Sequence, residues 1–383
     1  MNFQALVDGI VDMIRRETKG KNALVALSGG IDSTVTAILS KIAIGDKLKC
    51  VFIDTGFMRE RDFKDVDYVS NKYGLDVEII NAKDEFLSEL LGRSDAEEKR
   101  RIFREIFYSV LGRKFKEAKC KYLIQGTIAS DWIETKGGIK TQHNVLKQIG
   151  IDTVKKYGFK VIEPLADMYK DQVRELAKFL GLPRKIYDRQ PFPGPGLLIR
   201  AVGKLTERKL DLARKATEIV EKELAEMNCS QYFAAVIDNK WSIDERASIE
   251  LSTRIVERLT VKRMDTYATG IKGDLRVYGR IAALMDENIE EKTIPQLVQL
   301  QAILISKFSE YTRVVYNISR GNEKRKHAII VRAVVSSDLM TANVAEISMN
   351  RLCEVAQKIK DEVGDFPIYY DVTPKPPATI EFE

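Results

Sequence analysis

An apolar, β-rich run, Ala23-Leu-Val-Ala-Leu27, passes without a spacer into Ser28-Gly-Gly-Ile-Asp-Ser-Thr34 and then into a helical stretch. No other feature limits the fold so strongly. Gly29 and Gly30 remove side chains where backbone must turn sharply and approach a ligand closely. The helix behind them aims free N–H groups and its positive dipole end at that spot, which favours an anion. Ser28, Ser33 and Thr34 add hydroxyl donors, and the Ile31 amide belongs to the same turn. Asp32 would repel a bare phosphate; it fits if Mg²⁺ bridges its carboxylate to phosphate oxygens. Asp32 is therefore the candidate metal ligand. The corner is neither the GxxxxGK(S/T) P-loop nor the GxGxxG dinucleotide fingerprint.

The rest of the first half repeats the pattern. Strands are predicted over 23–27, 49–53, 76–80, 121–125 and 159–162, with amphipathic helices over 33–44, 63–73 and 97–118 between them. Such alternation predicts an α/β fold, a doubly wound parallel sheet with helices on both faces. Ligands on such sheets bind beyond the carboxyl ends of the strands. At 383 residues the chain exceeds one ordinary core, so two domains are expected, 1–200 and 201–383. Gln190-Pro-Phe-Pro-Gly-Pro-Gly196 is too rich in proline and glycine for a helix or central strand and reads as a rigid connector. Beyond it a smaller α+β domain with a duplicated unit is expected. Tyr267-Ala-Thr-Gly-Ile-Lys-Gly-Asp-Leu-Arg-Val-Tyr278 is similar to Ile330-Val-Arg-Ala-Val-Val-Ser-Ser-Asp-Leu-Met-Thr341, and each precedes a helical stretch and a β-rich segment.

Composition narrows the class. Hydrophobic residues at 44% and charged residues at 31% describe a globular chain. The first helical segment carries apolar residues at Phe3, Leu6, Val7, Ile10, Val11 and Ile14, with acids among them. It reads as structure rather than as a targeting peptide, and no apolar run is long enough to span a bilayer. A cytoplasmic location and no membrane partner are expected. Cys50, Cys120, Cys229 and Cys353 form no CxxC pair, which argues against a zinc knuckle or dithiol relay. The net charge of +6 suits anionic small substrates, and no nucleic-acid partner is expected.

The corner at 28–34 resembles the pyrophosphate loop of the N-type ATP pyrophosphatases, the adenine nucleotide alpha hydrolase-like fold. That group includes GMP, NAD, asparagine and argininosuccinate synthetases and the tRNA thiolation enzymes. Later segments are similar to the GMP synthetase family in particular. These are Ile124-Gln-Gly-Thr-Ile128, Asp131-Trp-Ile-Glu134, Lys140-Thr-Gln-His-Asn144, Glu163-Pro-Leu165 with Lys170-Asp-Gln-Val-Arg174, Arg189–Arg200, and Lys375-Pro-Pro-Ala-Thr-Ile-Glu381. Gln142 stands where the family has a histidine.

The resemblance implies a synthetase domain at 1–200 and a dimerisation and XMP-binding domain at 201–383. It implies that the XMP O2 attacks the ATP α-phosphorus, with ammonia then displacing AMP to give GMP. Gly126 and Thr127 join residues 28–34 as ATP contacts, and Lys170 joins Asp32 as catalytic. XMP contacts carry over to Arg100, Asp274, Arg332, Lys375, Thr379, Ile380 and Glu381. No GxCxG elbow surrounds any cysteine, so a separate glutamine amidotransferase subunit is expected to supply ammonia. Short family members dimerise through the second domain. A tandem copy can supply that pairing within one chain, which leaves a homodimer as an open alternative. NAD synthetase, a tRNA thiolation enzyme and a non-catalytic nucleotide-binding protein are the rivals.

Overall fold

The computed structural model describes residues 2–129, 131, 158–255, 259–273, 275–286, 292–337 and 340–383. It divides into two compact units: Met1–Leu90 with Arg100–Gly196, and Leu91–Lys99 with Leu197–Glu383. The second unit is no smaller than the first, because it also takes in the short segment ahead of residue 100.

The first unit is a five-stranded parallel sheet of β1 (Ala23–Leu27), β2 (Leu48–Asp54), β3 (Val77–Asn81), β4 (Tyr122–Ile124) and β5 (Lys160–Ile162). Its order is β3-β2-β1-β4-β5, every pairing parallel. Around it lie α1 (Phe3–Thr18), α2 (Ile31–Ile44), α3 (Glu60–Tyr73), α4 (Lys83–Leu90), α5 (Ala96–Glu117, from Arg100 onward in this unit), α6 (Lys170–Phe179) and α7 (Arg184–Tyr187). Helix α1 starts where Asn2 accepts from the Ala5 amide at 3.2 Å and stops at Lys19, which has a positive φ. Val7, Ile10, Val11 and Ile14, at helical spacing, pack into the core beside Val25, Val35 and Leu39. Each such fully buried aliphatic side chain contributes about 1.5–3 kcal/mol. Strands β2 and β3 run outward on one side of β1, and β4 and β5 on the other. The winding therefore reverses between β1 and β4, and the loops after those two strands form the crevice expected of a doubly wound sheet.

The second unit is built on β6 (Gln231–Asp238), β7 (Trp241–Ile243), β8 (Thr260–Lys272), β9 (Leu275–Met285), β10 (Tyr311–Ser319), β11 (His327–Val335), β12 (Asn343–Val344) and β13 (Ile368–Asp371). These form one sheet in the order β12-β11-β13-β10-β9-β8-β7, with β6 also on β11. Helices α8 (Glu207–Glu223), α9 (Glu245–Ile255), α10 (Ile294–Lys307) and α11 (Met349–Val363) supply one core with one face of the sheet. The opposite face packs with Val202, Ile380 and Phe382, so the terminal segment covers it.

The duplication is visible in the topology. β6–β11–β13 and β8–β9–β10 each run antiparallel and then parallel, with α11 or α10 bridging the parallel pair. The two sets meet where β10 pairs antiparallel with β13, and the β8–β10 set is inserted in sequence between β6 and β11. The segments equated by sequence are out of step with this. Residues 267–278 straddle β8 and β9, whereas the topological counterpart of β11 is β9 alone.

Candidate active site

The turn between β1 and α2 is arranged as an anion site. Gly29 has φ +72, a conformation that L side chains rarely adopt. Gly30 is the N-cap of α2 in extended conformation, and no side chain caps the helix. The first amides of α2 are thus not held by a side-chain cap. The hydroxyls organise the turn itself. Ser33 Oγ accepts from the Ser28 amide at 3.1 Å and lies 3.0 Å from Ser28 Oγ, while Ser28 Oγ accepts from the Gly30 amide at 3.3 Å. Thr34, expected as a phosphate donor, is buried and donates to Gly30 O at 2.9 Å, so its only hydroxyl proton serves the turn. Ile31 is buried in the core, which leaves its backbone as the group able to face a ligand.

Lys170, the first residue of α6, brings Nζ to 2.6 Å from Asp32 Oδ2. The other carboxylate oxygen, Asp32 Oδ1, is buried with no hydrogen-bond partner among the described residues, and so is Thr127 Oγ1. The loop after β4 presses on the first turn of α2. A Cβ at Gly126 would stand 2.7 Å from the Asp32 carbonyl carbon and oxygen and 2.9 Å from the Ser33 amide nitrogen. Only glycine permits that approach of the loop to the helix. Among the described residues no cluster of three or more His, Cys, Asp or Glu forms a cage for a metal. One carboxylate with a free buried oxygen fits Mg²⁺, which is commonly held by one or two carboxylates together with substrate phosphates.

Behind the loop lies a buried network to which the sequence alone gives no role. Arg189 Nη1 donates to Gly29 O at 2.9 Å and to Asp65 at 2.9 Å, and its Nη2 meets Asp62. Asp62 also receives Arg59 Nη2 at 3.0 Å and the Arg59 amide at 2.8 Å, and Arg59 stacks 3.7 Å above the Phe192 ring. Burial pushes the Asp62 carboxyl up, but Arg59 and Arg189 more than reverse this and hold it below the usual carboxylate range. Phe192 lies within the Pro/Gly-rich segment and Arg189 immediately precedes it. This stretch therefore does more than connect: it fixes the loop backbone from beneath.

In the second unit the terminal segment runs across the sheet. Lys375 is buried, and its backbone exchanges two hydrogen bonds with Ala342, at 2.8 and 3.0 Å. Ile380 packs in the core, and Thr379 Oγ1 lies 2.6 Å from Thr269 Oγ1. Two residues expected to touch XMP have other partners. The Arg332 side chain is fully buried, and its nitrogens reach Asp371 and the carbonyls of Thr373, Thr379 and Ile380, so it grips the terminal segment. The Glu381 carboxylate is held by Arg200, Nη2 at 3.0 Å and Nε at 3.1 Å, and by Gln231 at 2.9 Å. A carboxylate has about four acceptor sites, so it can still take a ribose hydroxyl. Arg100 is half-buried on α5. The neighbouring Lys99 is fully buried, donates to Ala201 and Gly203 carbonyls and pairs with Glu383. Asp274, Trp132–Glu134 and Lys140–Asn144, with His143, lie outside the described residues.

Residues 2–212 match the NAD synthase family model, and residues 318–382 match the model for the GMP synthase C terminal domain. The chain is 48% identical over 380 residues to a subunit of glutamine-hydrolyzing GMP synthase from Sulfurisphaera tokodaii, covering 99% of each chain. It is 44% identical to the same-named protein of Saccharolobus solfataricus, again over 99% of each. With that of Archaeoglobus fulgidus it shares 39% identity over the full length of both. Residues 2–212 are thus of a type shared with NAD synthases, and the chain as a whole belongs to this family of glutamine-hydrolyzing GMP synthase subunits.

Proposed function

We propose that this chain is the synthetase that converts XMP, ATP and ammonia to GMP, AMP and pyrophosphate. The observation that carries the reading is the pairing of Lys170 with Asp32 at an uncapped helix N-terminus, where the sheet reverses its winding. In the first step the xanthine O2 bonds to the α-phosphorus of ATP as the α–β bond breaks, and pyrophosphate leaves with its charge. The first amides of α2 and Lys170 stabilise that charge as it gathers, the kind of preorganised electrostatic help that is often the largest catalytic term. Asp32 Oδ1 would hold Mg²⁺, which when bound neutralises charge on the phosphate oxygens. In the second step ammonia attacks C2 and AMP departs with the former O2. No enzyme nucleophile is required.

Gly126, Thr127 and residues 28–34 are assigned to ATP. Lys375 and Thr379–Glu381 are assigned to XMP, with Arg100 and Asp274 retained from the family resemblance. Arg332 is assigned to support. The relatives are named as one subunit of a glutamine-hydrolyzing enzyme, which supports a separate glutamine-hydrolysing partner as the source of ammonia. The β10–β13 pairing supports completion of the two-copy sheet within one chain, with a homodimer as the alternative to be weighed by mass in solution.

Incubating the purified chain with ATP, Mg²⁺, XMP and an ammonium salt tests the reading. GMP formed one for one with AMP is expected. AMP release that depends on deamido-NAD instead of XMP would replace it with NAD synthesis, the activity named by the model matching residues 2–212. Binding of ATP with no AMP under either acceptor would make the chain a non-catalytic nucleotide-binding protein.

A further inference from the structure

Three charged side chains stand where strand alternation calls for apolar ones. Arg313 on β10 shares its face with Val315, Arg332 on β11 with Ile330, and Asp371 on β13 with Tyr369; all three neighbours belong to the core beneath the terminal segment. The order β11-β13-β10 places Asp371 between the two arginines. All three are fully buried. Arg313 Nη1 is 2.6 Å and Arg332 Nη1 2.9 Å from Asp371 Oδ2, and the Thr373 amide donates to Asp371 Oδ1 at 3.0 Å.

Two cations on one anion leave an excess positive charge in a desolvated layer, an arrangement that apolar residues of similar volume often match or exceed in stability. The remaining N–H groups show what the arrangement does. Arg313 Nη2 donates to Thr379 O at 2.7 Å, to Thr379 Oγ1 at 3.0 Å and to Glu381 O. Arg332 donates to Ile380 O from Nε at 3.0 Å, to Thr379 O from Nη2 at 3.1 Å and to Thr373 O from Nη1 at 2.8 Å. Three consecutive carbonyls, those of residues 379, 380 and 381, are thus gripped by two guanidiniums fixed on one carboxylate. The Phe382 ring lies 4.0 Å from the Arg313 guanidinium carbon.

We propose that Arg313 and Asp371, with Arg332, are positioning residues for the purine nucleotide acceptor: they set the backbone of Thr379–Glu381 so that this segment and Lys375 meet XMP in one geometry. The inference rests on the assignment of XMP to the terminal segment. The excess positive charge beneath it adds a field that favours an anionic acceptor.

The test uses the full chain carrying Arg313→Met, Arg313→Lys or Asp371→Asn. Ammonium-dependent AMP formation gives KM for XMP, KM for ATP and kcat. Amide exchange by mass spectrometry, without nucleotide, reports the order of residues 372–383. At least a tenfold rise in KM for XMP is expected, with KM for ATP within twofold and faster exchange confined to the terminal peptide. Arg313→Lys keeps the charge but not the planar fork, so it should stay closer to Arg313→Met than to the parent. Full rescue by lysine would overturn the positioning role in favour of charge alone. Faster exchange with an unchanged KM for XMP would make the cluster a fastening with no part in acceptor binding, and unchanged exchange would overturn the grip itself. Should Arg313→Met fail to fold, Asp371→Asn, nearly the same in volume, reads the same quantities. If the parent chain makes no XMP-dependent AMP, the functional reading fails, and the exchange data still judge the grip.

Discussion

Lys170 Nζ and Asp32 Oδ2 lie 2.6 Å apart, with side chains 27% and 25% exposed, although 138 residues separate them in sequence. An ion pair this accessible adds little to stability. Its placement matters more: the ammonium and the carboxylate meet at the mouth of the α2 N-terminus, where a triphosphate and its metal would need one of each. Phosphate oxygens compete with Asp32 for Lys170, and a cation competes with Lys170 for Asp32, so the pair is expected to exchange partners as substrate enters.

The first prediction follows from that exchange. Asp32→Asn and Lys170→Ala should each lower AMP formation by about 10²–10³-fold, the usual loss for one preorganised stabilising group. KM for XMP should stay within about threefold. Because the two act on the same leaving group, the double variant should fall well short of the product of the single losses. Pyrophosphate release is the measurement, and an Asp32→Asn chain that releases it normally would remove the metal assignment.

Gly126→Ala is predicted to act through backbone rather than chemistry. The added methyl would meet the Asp32 carbonyl at 2.7 Å and the Ser33 amide nitrogen at 2.9 Å, and neither can swing aside as a flexible side chain would. Forcing the loop off the helix should cost about 1–3 kcal/mol, as overpacking typically does. It should also raise KM for ATP while leaving that for XMP near its parent value. Thermal unfolding and steady-state kinetics check the two halves. A variant with parental KM for ATP would show that the close approach has no bearing on nucleotide binding.

These two sites are legible in the sequence because their signals are local. Ser28–Thr34 carries its turn, hydroxyls and helix start within seven residues, and each strand of the first sheet is a short apolar run between polar or glycine-containing stretches. Arg189 opens a recognisable segment, yet its own role is invisible there, because its partners are Gly29, Asp62 and Asp65, more than a hundred residues away. Arg313 and Asp371 escape sequence reasoning for a related cause. Alternation assigns each to a face of its strand, but nothing nearby says that the terminal segment covers that face. Arg332 is expected to touch XMP from the resemblance alone, and the fold turns the same residue toward the segment's carbonyls. The duplicated unit is detectable in the sequence but falls in the wrong register, since strands of the same period can be matched with either neighbour in an antiparallel hairpin.

Acid should expose the network beneath the loop. Asp62 is fully buried, and its carboxyl is held below the usual range by Arg59 and Arg189 against the upward push of burial. A carboxyl depressed in the folded chain adds stability that is fully present above its unfolded value of about 3.9. That stability is lost as pH falls through the lower folded value. Asp62→Asn leaves two buried guanidiniums without their central anion and should cost about 3–5 kcal/mol near neutrality. The gap in unfolding midpoint between parent and variant should therefore be widest near pH 7 and narrow below about pH 4. A gap independent of pH would mean that the carboxylate charge is not what stabilises the loop support.

Lys375→Ala separates anchoring from recognition in the terminal segment. The Lys375 backbone is clasped by Ala342 in both directions, at 2.8 and 3.0 Å, and neither bond depends on the side chain. Removing the side chain should therefore leave the backbone bridge in place, and the melting temperature reads separately what its buried stem adds to stability. If the ammonium meets the XMP phosphate, a charged hydrogen bond of about 1.5–3 kcal/mol is lost. KM for XMP should then rise about 10–150-fold at an energy of about 1.4 kcal/mol per decade. A contact made equally in ground and transition states leaves kcat intact, so turnover at saturating XMP should stay within a few-fold of the parent. Raising the ionic strength should weaken XMP binding in the parent more than in the variant, because the variant no longer has the charge to be screened. Normal XMP saturation by Lys375→Ala at both low and high salt would take the phosphate away from this residue and return Lys375 to a purely structural place in the bridge.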